Sequence, residues 1–263
     1  MTTYGLIGYP LGHSFSRQFF TEKFEKEDID AQYLNFEIPS IEEFPDIIKN
    51  NPNLRGLNVT IPYKQQVMQY LDDISEEARA IGAVNVVKCQ LSTVDCQLHT
   101  TGYNSDVIGF VNSIRPLLKP HHNKALILGT GGASKAIRYG LEKKLGIETA
   151  FVSRRKPDGS PHKGGDVRRT ERVFTYEEVT AEVLKEYEVI VNCSPVGMYP
   201  HVDECPTLPY EAMNENHLLY DLVYNPLETL FMKKGAAQGA TVKNGLEMLH
   251  LQAIASWEFW TTE

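Results

Sequence analysis

Leu126-Ile127-Leu128-Gly129-Thr130-Gly131-Gly132-Ala133-Ser134 reads as a buried strand, a glycine-rich turn and the start of a helix. Glycines let a backbone approach a pyrophosphate closely, and a helix N-terminus presents free N–H groups and the positive end of a dipole. Ser134 stands where the fingerprint GxGxxG has its third glycine, and so small a residue still permits close packing of helix on strand. A glycine motif alone is weak; between a strand and a helix inside a βαβ unit it has the required context. The stretch makes Gly129, Thr130, Gly131, Gly132, Ala133 and Ser134 candidate cofactor residues.

The end of the next strand narrows the cofactor. NAD-binding versions place an Asp or Glu about twenty residues on, against the ribose 2′-hydroxyl. Here Phe151-Val152-Ser153-Arg154-Arg155-Lys156 has no carboxylate before Asp158. A carboxylate repels a 2′-phosphate, whereas Arg pairs with it bidentately. Arg154 leads and Arg155 seconds as 2′-phosphate ligands, and NADP is the expected cofactor.

Outward from this loop, the periodicity predicts strands 124–129, 148–153, 171–174, 188–193 and 217–223, with helices 132–145, 176–187 and 226–238. Such alternation implies parallel βαβ construction with helices on both faces. Upstream, Tyr4–Gly8, Gln32–Ile38, Leu54–Thr60 and Val84–Lys88 read as strands, and 89–99 as a hairpin. Ser14 reads as the cap of a helix running to about Glu27, and Ser40-Ile41-Glu42-Glu43 as a capping box. A helix through Phe110 and Ile114 ends at Arg115-Pro116, and a strongly apolar helix over 246–260 is expected to pack back on the first unit.

Composition bounds the function. The chain has 263 residues and a net charge of −8, which argues against a nucleic-acid partner, since phosphate neutralisation needs clustered Lys and Arg. Cys89, Cys96, Cys193 and Cys205 form no CxxC or His-flanked metal spacing, so reduced thiols and no metal site are expected. The N-terminal residues lack a basic, then long apolar, leader, and no apolar run approaches a membrane span. A cytoplasmic protein is expected.

Asn58-Val59-Thr60-Ile61-Pro62-Tyr63-Lys64 starts as a strand, is stopped by a proline and presents a lysine at the first turn of an apparent helix. Lysine placed there can act as a general acid or base. Further polar clusters, Gly12–Ser16, Ala83–Asn85 and Gly102–Asp106, also follow or end predicted strands, where ligands of open α/β sheets bind. Singly, Ser14 and Ser16 suit helix caps, and Asn85 and Asp106 suit turns. Together they describe a polar pocket facing a cofactor.

These clusters and the glycine loop, with Asn192–Met198, Tyr220–Pro226 and Asn244–Ala253, resemble the shikimate dehydrogenase family along nearly the whole chain. The resemblance implies an α/β protein of two domains: a substrate-binding and catalytic domain over 1–106 plus 240–263, and a Rossmann-like, doubly wound NADP domain over 107–239. It implies NADP-dependent interconversion of 3-dehydroshikimate and shikimate, a step of aromatic amino acid biosynthesis. Carried over by motif, Ser14 and Ser16 would bind the substrate carboxylate, Thr60 would assist at the ring and Asn58 would shape the same wall. Lys64 and Asp106 would form the catalytic pair, and Asn85, Tyr224 and Gln252 would complete substrate binding. Gly129–Ser134 and Ser153–Arg155 would hold the cofactor, with Leu222 and Gly245 approaching the nicotinamide through backbone.

Two departures from the family pattern are visible: Ser153 stands where many relatives have Asn, and 88–100 looks like a surface elaboration. Tyr63 reads as packing. A small-molecule substrate and a monomer or homodimer are expected, with no membrane partner. The alternatives are a quinate/shikimate dehydrogenase using NAD, which the Arg154-Arg155 pair disfavours, and a folate-type dehydrogenase, which explains Ser14 and Ser16 less directly. A non-catalytic NADP-binding regulator is disfavoured by the presence of Lys64 and Asp106.

Overall fold

A computed structural model of the chain describes residues 1–12, 15–92, 97–154 and 172–262. The backbone divides into two units, Met1–Ile108 with the stretch from His250, and Gly109–Leu249. Ser14, and with it the expected cap, lies outside the described residues, as do Cys96 and Arg155.

In the first unit the order is β1 (Thr2–Gly8), α1 (Phe15–Lys26), β2 (Ala31–Glu37), α2 (Phe44–Asn50), β3 (Leu54–Val59), β4 (Asp73–Ile74), α3 (Glu76–Ile81), β5 (Val86–Leu91), β6 (Leu98–Tyr103) and the start of α4 (Asp106–Ile114). The strands form one sheet in the order β2-β1-β3-β5-β6-β4. β5 runs antiparallel to both β3 and β6, and the other pairings are parallel.

Alternate residues of these strands enter two different cores, as the pleat requires. Leu6 and Val86 join Tyr4, Phe20, Tyr33 and Trp260 on one face, while Ile7 and Val87 join Leu57, Tyr63 and Val84 on the other.

The second unit continues α4 and adds β7 (Lys124–Leu128), α5 (Gly132–Tyr139), β8 (Glu148–Ser153), β9 (Val173–Thr175), α6 (Ala181–Glu186), β10 (Val189–Asn192), β11 (Leu218–Asp221), α7 (Leu230–Ala236), β12 (Thr241–Lys243) and the first turn of α8 (Leu246–Thr261). Its sheet is wholly parallel in the order β12-β11-β10-β7-β8-β9. Chain order reverses at β7, between β8 on one side and β10 on the other. That is the doubly wound arrangement, with its ligand crevice at the switch point.

α8 from His250 onward belongs to the first unit. Trp260 presses on β3 at Gly56, where an added Cβ would meet its ring at 2.4 Å, so only a glycine admits the indole there. Trp260 Nε1 also donates to the Val87 carbonyl at 3.0 Å, and the ring packs 5.0 Å from Tyr4 and 5.1 Å from Phe20. The expected return of the last helix therefore has a mechanism in one indole ring.

Several local expectations are corrected. Ser40 Oγ accepts from the Glu42 N–H at 3.3 Å and caps a single 3₁₀ turn, Ile41–Glu43; α2 begins only at Phe44, with Pro45 in its first turn. Proline's fixed φ and missing N–H suit that place and set the helix start there. A capping box occurs instead at Thr175 and Glu178, opening another 3₁₀ turn before a shortened α6. The helix expected over 132–145 changes at Gly140 into a π turn, Gly140–Lys144. α7 starts at Leu230, capped by Thr229, whose side chain accepts from the Met232 N–H, and not at 226.

The segment 88–100 is no mere elaboration: Lys88 to Leu91 pair with Leu98 to Thr101 inside the sheet, and Cys89 is buried. β4, α3 and β12 were not expected; each is too short to show a period.

Candidate active site

Beyond β3 the chain turns sharply. Thr60 N–H donates to the Ile7 carbonyl and Tyr63 N–H to the Thr60 carbonyl, both at 2.9 Å. Tyr63 is buried, as packing predicts, and its hydroxyl donates to the Ile38 carbonyl at 2.6 Å. The Lys64 carbonyl accepts from Val84 N–H at 2.7 Å. Lys64 is thus held by a buried neighbour and by its own backbone, leaving its side chain free to project. No α-helix follows; Gln66–Tyr70 is a 3₁₀ turn.

Asp106 opens α4. Asn104 caps that helix, its Oδ1 accepting from Val107 N–H at 3.4 Å while its Nδ2 donates to the Ala83 carbonyl at 2.9 Å. Lys64 Nζ donates to Asp106 Oδ2 at 2.6 Å, across 42 residues of sequence. Their side chains are 16% and 9% exposed, so the pair is shielded from bulk water yet still reachable. Shielding strengthens the ion pair relative to a surface one.

The other carboxylate oxygen is also occupied. Asn85 Nδ2 donates to Asp106 Oδ1 at 2.9 Å and to Ser105 Oγ at 3.0 Å, and its Oδ1 accepts from Ser105 N–H at 2.7 Å. Ser105 Oγ lies 3.1 Å from Ser256 Oγ and 3.4 Å from Gln252 Oε1. Ser256 Oγ accepts from Asn58 Nδ2 at 2.9 Å, and Asn58 Oδ1 accepts from Tyr33 OH at 2.8 Å. Tyr33 in turn shares a hydrogen bond with the Ser16 side chain; burial nevertheless raises its phenol above the ordinary range.

Of the residues singled out by sequence in this unit, Ser16, Asn58, Lys64, Asn85, Asp106 and Gln252 therefore lie on one hydrogen-bonded network. Thr60 stands beside it, its Cγ2 filling the space next to Gly8. Sequence reasoning missed Tyr33 and Ser256 as members, and gave Ser105, inside the Gly102–Asp106 cluster, no role of its own. Ser256 left a signal: a hydroxyl one helical turn after Gln252 in an otherwise apolar stretch.

The second unit supplies the other set. Gly129 follows β7 with φ +102°, a left-handed conformation that favours glycine, and packs against Cys193 and Ser194 just beyond β10. Around Gly131 an added Cβ would meet nothing within 4 Å, so the loop leaves room at the start of α5. The first turn of α5 carries no acidic residue, and Ser134 Oγ donates to the Gly131 carbonyl at 2.6 Å. An open glycine turn at a helix N-terminus without carboxylates fits a dinucleotide phosphate. Ser153 ends β8, and Arg154 follows it, exposed.

At the end of β11, Leu222 N–H donates to the Asn192 carbonyl at 2.9 Å, and Gly245 lies so close to Leu222 that an added Cβ would sit 2.2 Å from its carbonyl oxygen. Tyr224, two residues on, is partly exposed, and burial of its phenol raises its pKa.

Asp221, which sequence reasoning passed over, organises this end. It is fully buried and accepts from Asn192 Nδ2 at 2.9 Å, Val223 N–H at 3.0 Å and Thr229 Oγ1 at 2.6 Å. Burial pushes its carboxyl up to about 6 despite these donors. Among the described residues no helix is long and apolar enough to cross a membrane, and no group of three or more His, Cys, Asp or Glu is placed to hold a metal ion.

Comparison with known proteins follows the same lines. A family model described as the shikimate dehydrogenase substrate binding domain matches residues 6–87. The shikimate dehydrogenase (NADP(+)) of Caldanaerobacter subterraneus subsp. tengcongensis is 35% identical, over 99% of this chain and 91% of that protein. Among solved structures, shikimate 5-dehydrogenase from Thermus thermophilus in complex with NADP(H) and shikimate is 30% identical with a TM-score of 0.79, covering 99% of this chain and 94% of that one. The Listeria monocytogenes enzyme in complex with shikimate and NAD is 28% identical with a TM-score of 0.82, covering 100% and 92%. Likeness of this extent, over nearly the whole chain, makes this chain a member of the shikimate dehydrogenase family.

Proposed function

We propose that the protein interconverts 3-dehydroshikimate and shikimate with NADP(H), within aromatic amino acid biosynthesis, and that Lys64 and Asp106 are its acid–base pair. The observation that carries this reading is the shielded 2.6 Å contact between Lys64 Nζ and Asp106 Oδ2. The activity and cofactor of its relatives support the same reaction.

In the reducing direction the substrate carbonyl oxygen gains negative charge. The Lys64 ammonium stabilises that charge and delivers a proton to the oxygen. Asp106, fixed at its other oxygen by Asn85, orients the ammonium. In the oxidising direction the same nitrogen receives the hydroxyl proton. Bound nicotinamide dinucleotide supplies the redox partner of the ring carbon. Ser14 and Ser16 hold the substrate carboxylate, and Asn58, Thr60, Asn85, Tyr224 and Gln252 complete the binding wall.

Gly129, Thr130, Gly131, Gly132, Ala133 and Ser134 would hold the pyrophosphate, and Ser153, Arg154 and Arg155 the adenosine end, where a guanidinium matches a 2′-phosphate. Leu222 and Gly245 would border the nicotinamide by backbone. The unit Met1–Ile108 with the stretch from His250, and the unit Gly109–Leu249, would divide these tasks.

A second reading, use of NAD, is favoured by the NAD in the Listeria relative. Steady-state kinetics with shikimate and quinate, each with NADP and NAD, decide between them. The highest kcat/KM is expected for shikimate with NADP. No reduced-nicotinamide absorbance with shikimate and either cofactor overturns the reaction; preference for NAD overturns the cofactor.

A further inference from the structure

Ser256 stands where two parts of the first unit's network meet. It is fully buried in α8, and its Oγ donates back to the Gln252 carbonyl at 2.8 Å. With its proton used there, the oxygen can only accept from its other neighbours. Asn58 Nδ2 reaches it at 2.9 Å from β3, and Ser105 Oγ at 3.1 Å from the start of α4. The Ser105 proton turns to Ser256 Oγ or, at 3.4 Å, to Gln252 Oε1, and in both cases its oxygen faces Asn85 Nδ2 as an acceptor at 3.0 Å. The remaining amide hydrogen of Asn85 is directed to Asp106 Oδ1. Ser256 Oγ is the nearer of two acceptors for both Ser105 Oγ and Asn58 Nδ2, the others being Gln252 Oε1 and the Asn85 carbonyl, each at 3.4 Å, and so the hydroxyl of Ser256 sets the sense of the chain.

From this geometry we infer that Ser256 is a positioning residue: through Ser105 and Asn85 it orients Asp106 against Lys64, and through Asn58 it fixes the facing wall. The inference rests on the proposed reaction. Ser256 itself touches neither Lys64 nor Asp106, so its effect must travel through the two asparagines. Ser256→Ala removes one oxygen from a buried site without adding volume. It takes from the Asn58 amide and the Ser105 hydroxyl their nearer acceptor and leaves only the Asn85 carbonyl and Gln252 Oε1, each at 3.4 Å, which lets both side chains re-orient.

The test is a cycle of Ser256→Ala and Asn85→Ala, with kcat and KM for shikimate oxidation by NADP. Ser256→Ala is expected to lower kcat/KM about tenfold, shared between kcat and KM. In the Asn85→Ala background it should change kcat less than about twofold, while the KM rise carried by Asn58 persists. Independently of activity, NMR of the intact protein should find the side-chain amides of Asn58 and Asn85 slow to exchange in the wild type and faster in Ser256→Ala.

Kinetics within about twofold of wild type together with unchanged amide exchange overturn the positioning role, and so do kcat losses that multiply in the cycle. A wild-type protein that oxidises no shikimate overturns the proposed reaction instead, and the amide exchange then still decides the role of Ser256.

Discussion

The two units present their ligand-facing ends in opposite ways. In the first, the proposed site is built of side chains: Lys64, Asp106, Asn85, Ser105, Ser256, Asn58, Tyr33 and Ser16 join end to end through hydrogen bonds. In the second, the proposed site is built of backbone: a glycine turn open at Gly131, a left-handed Gly129 and a Gly245 pressed on the Leu222 carbonyl. A side-chain site is damaged by deleting atoms, a backbone site by adding them. Substitutions of opposite kind should therefore separate the two.

The largest effect is expected from deletion in the first unit. Lys64→Ala should lower kcat by about a thousandfold while shikimate still binds measurably, since general acid–base help is worth roughly 10²–10⁴. A near-wild-type kcat in that variant ends the catalytic role of Lys64.

Addition should dominate in the second unit, and unequally. Gly245→Ala drives a methyl to within 2.2 Å of a backbone oxygen, and at least several kcal/mol of stability should be lost. Gly131→Ala meets nothing, so its melting temperature should hold while KM for NADP rises about tenfold. Equal melting temperatures for the two alanine variants would break the proposed contrast.

Asp221 offers a pH test of the frame behind that backbone. Its carboxyl is raised from 3.8 to about 6 by burial, so the folded protein binds its proton more tightly than the unfolded chain does. The resulting stability is complete below the unfolded value and is lost as pH rises through the folded one. The loss, on the order of 2 kcal/mol, should be absent in Asp221→Asn. Denaturant midpoints at about pH 4.5 and pH 7.5 should show the variant gaining on wild type at the higher pH. A gap that does not change with pH would mean that Asp221 does not titrate in this window.

The smallest effect should come from the exposed cation. Arg154→Ser is expected to lower the preference for NADP over NAD about tenfold, with kcat for the favoured cofactor nearly unchanged. An unaltered ratio would remove Arg154 from the 2′-phosphate site.

Legibility in the sequence followed the same division. The glycine turn could be read because the chemistry is local: strand, glycines and helix start are contiguous, and only glycine tolerates what Gly129 does. Lys64 could be read as available, since a proline after a strand turns the chain outward. Its pairing with Asp106 could be expected only from resemblance to a family. No local rule joins residues 42 positions apart. Local rules also misled where they competed: Ser40 satisfied the pattern of a capping box, yet Pro45 set the start of α2, while the unremarked Thr175 and Glu178 formed the real one. β12, with three residues, exists only because β11 offers it an edge.

By itself the sequence determined the alternation of strands and helices, the open glycine loop and the inventory of polar groups at strand ends, since each depends on a few adjacent residues. Tertiary structure alone decided that β5 runs against its neighbours and that Gly56 receives Trp260. It also decided that a hydroxyl in the last helix completes the hydrogen bonding of Asn58 and Ser105. Those outcomes depend on distance and direction between groups far apart in the chain, and such geometry exists only once the sheets have formed and buried their faces.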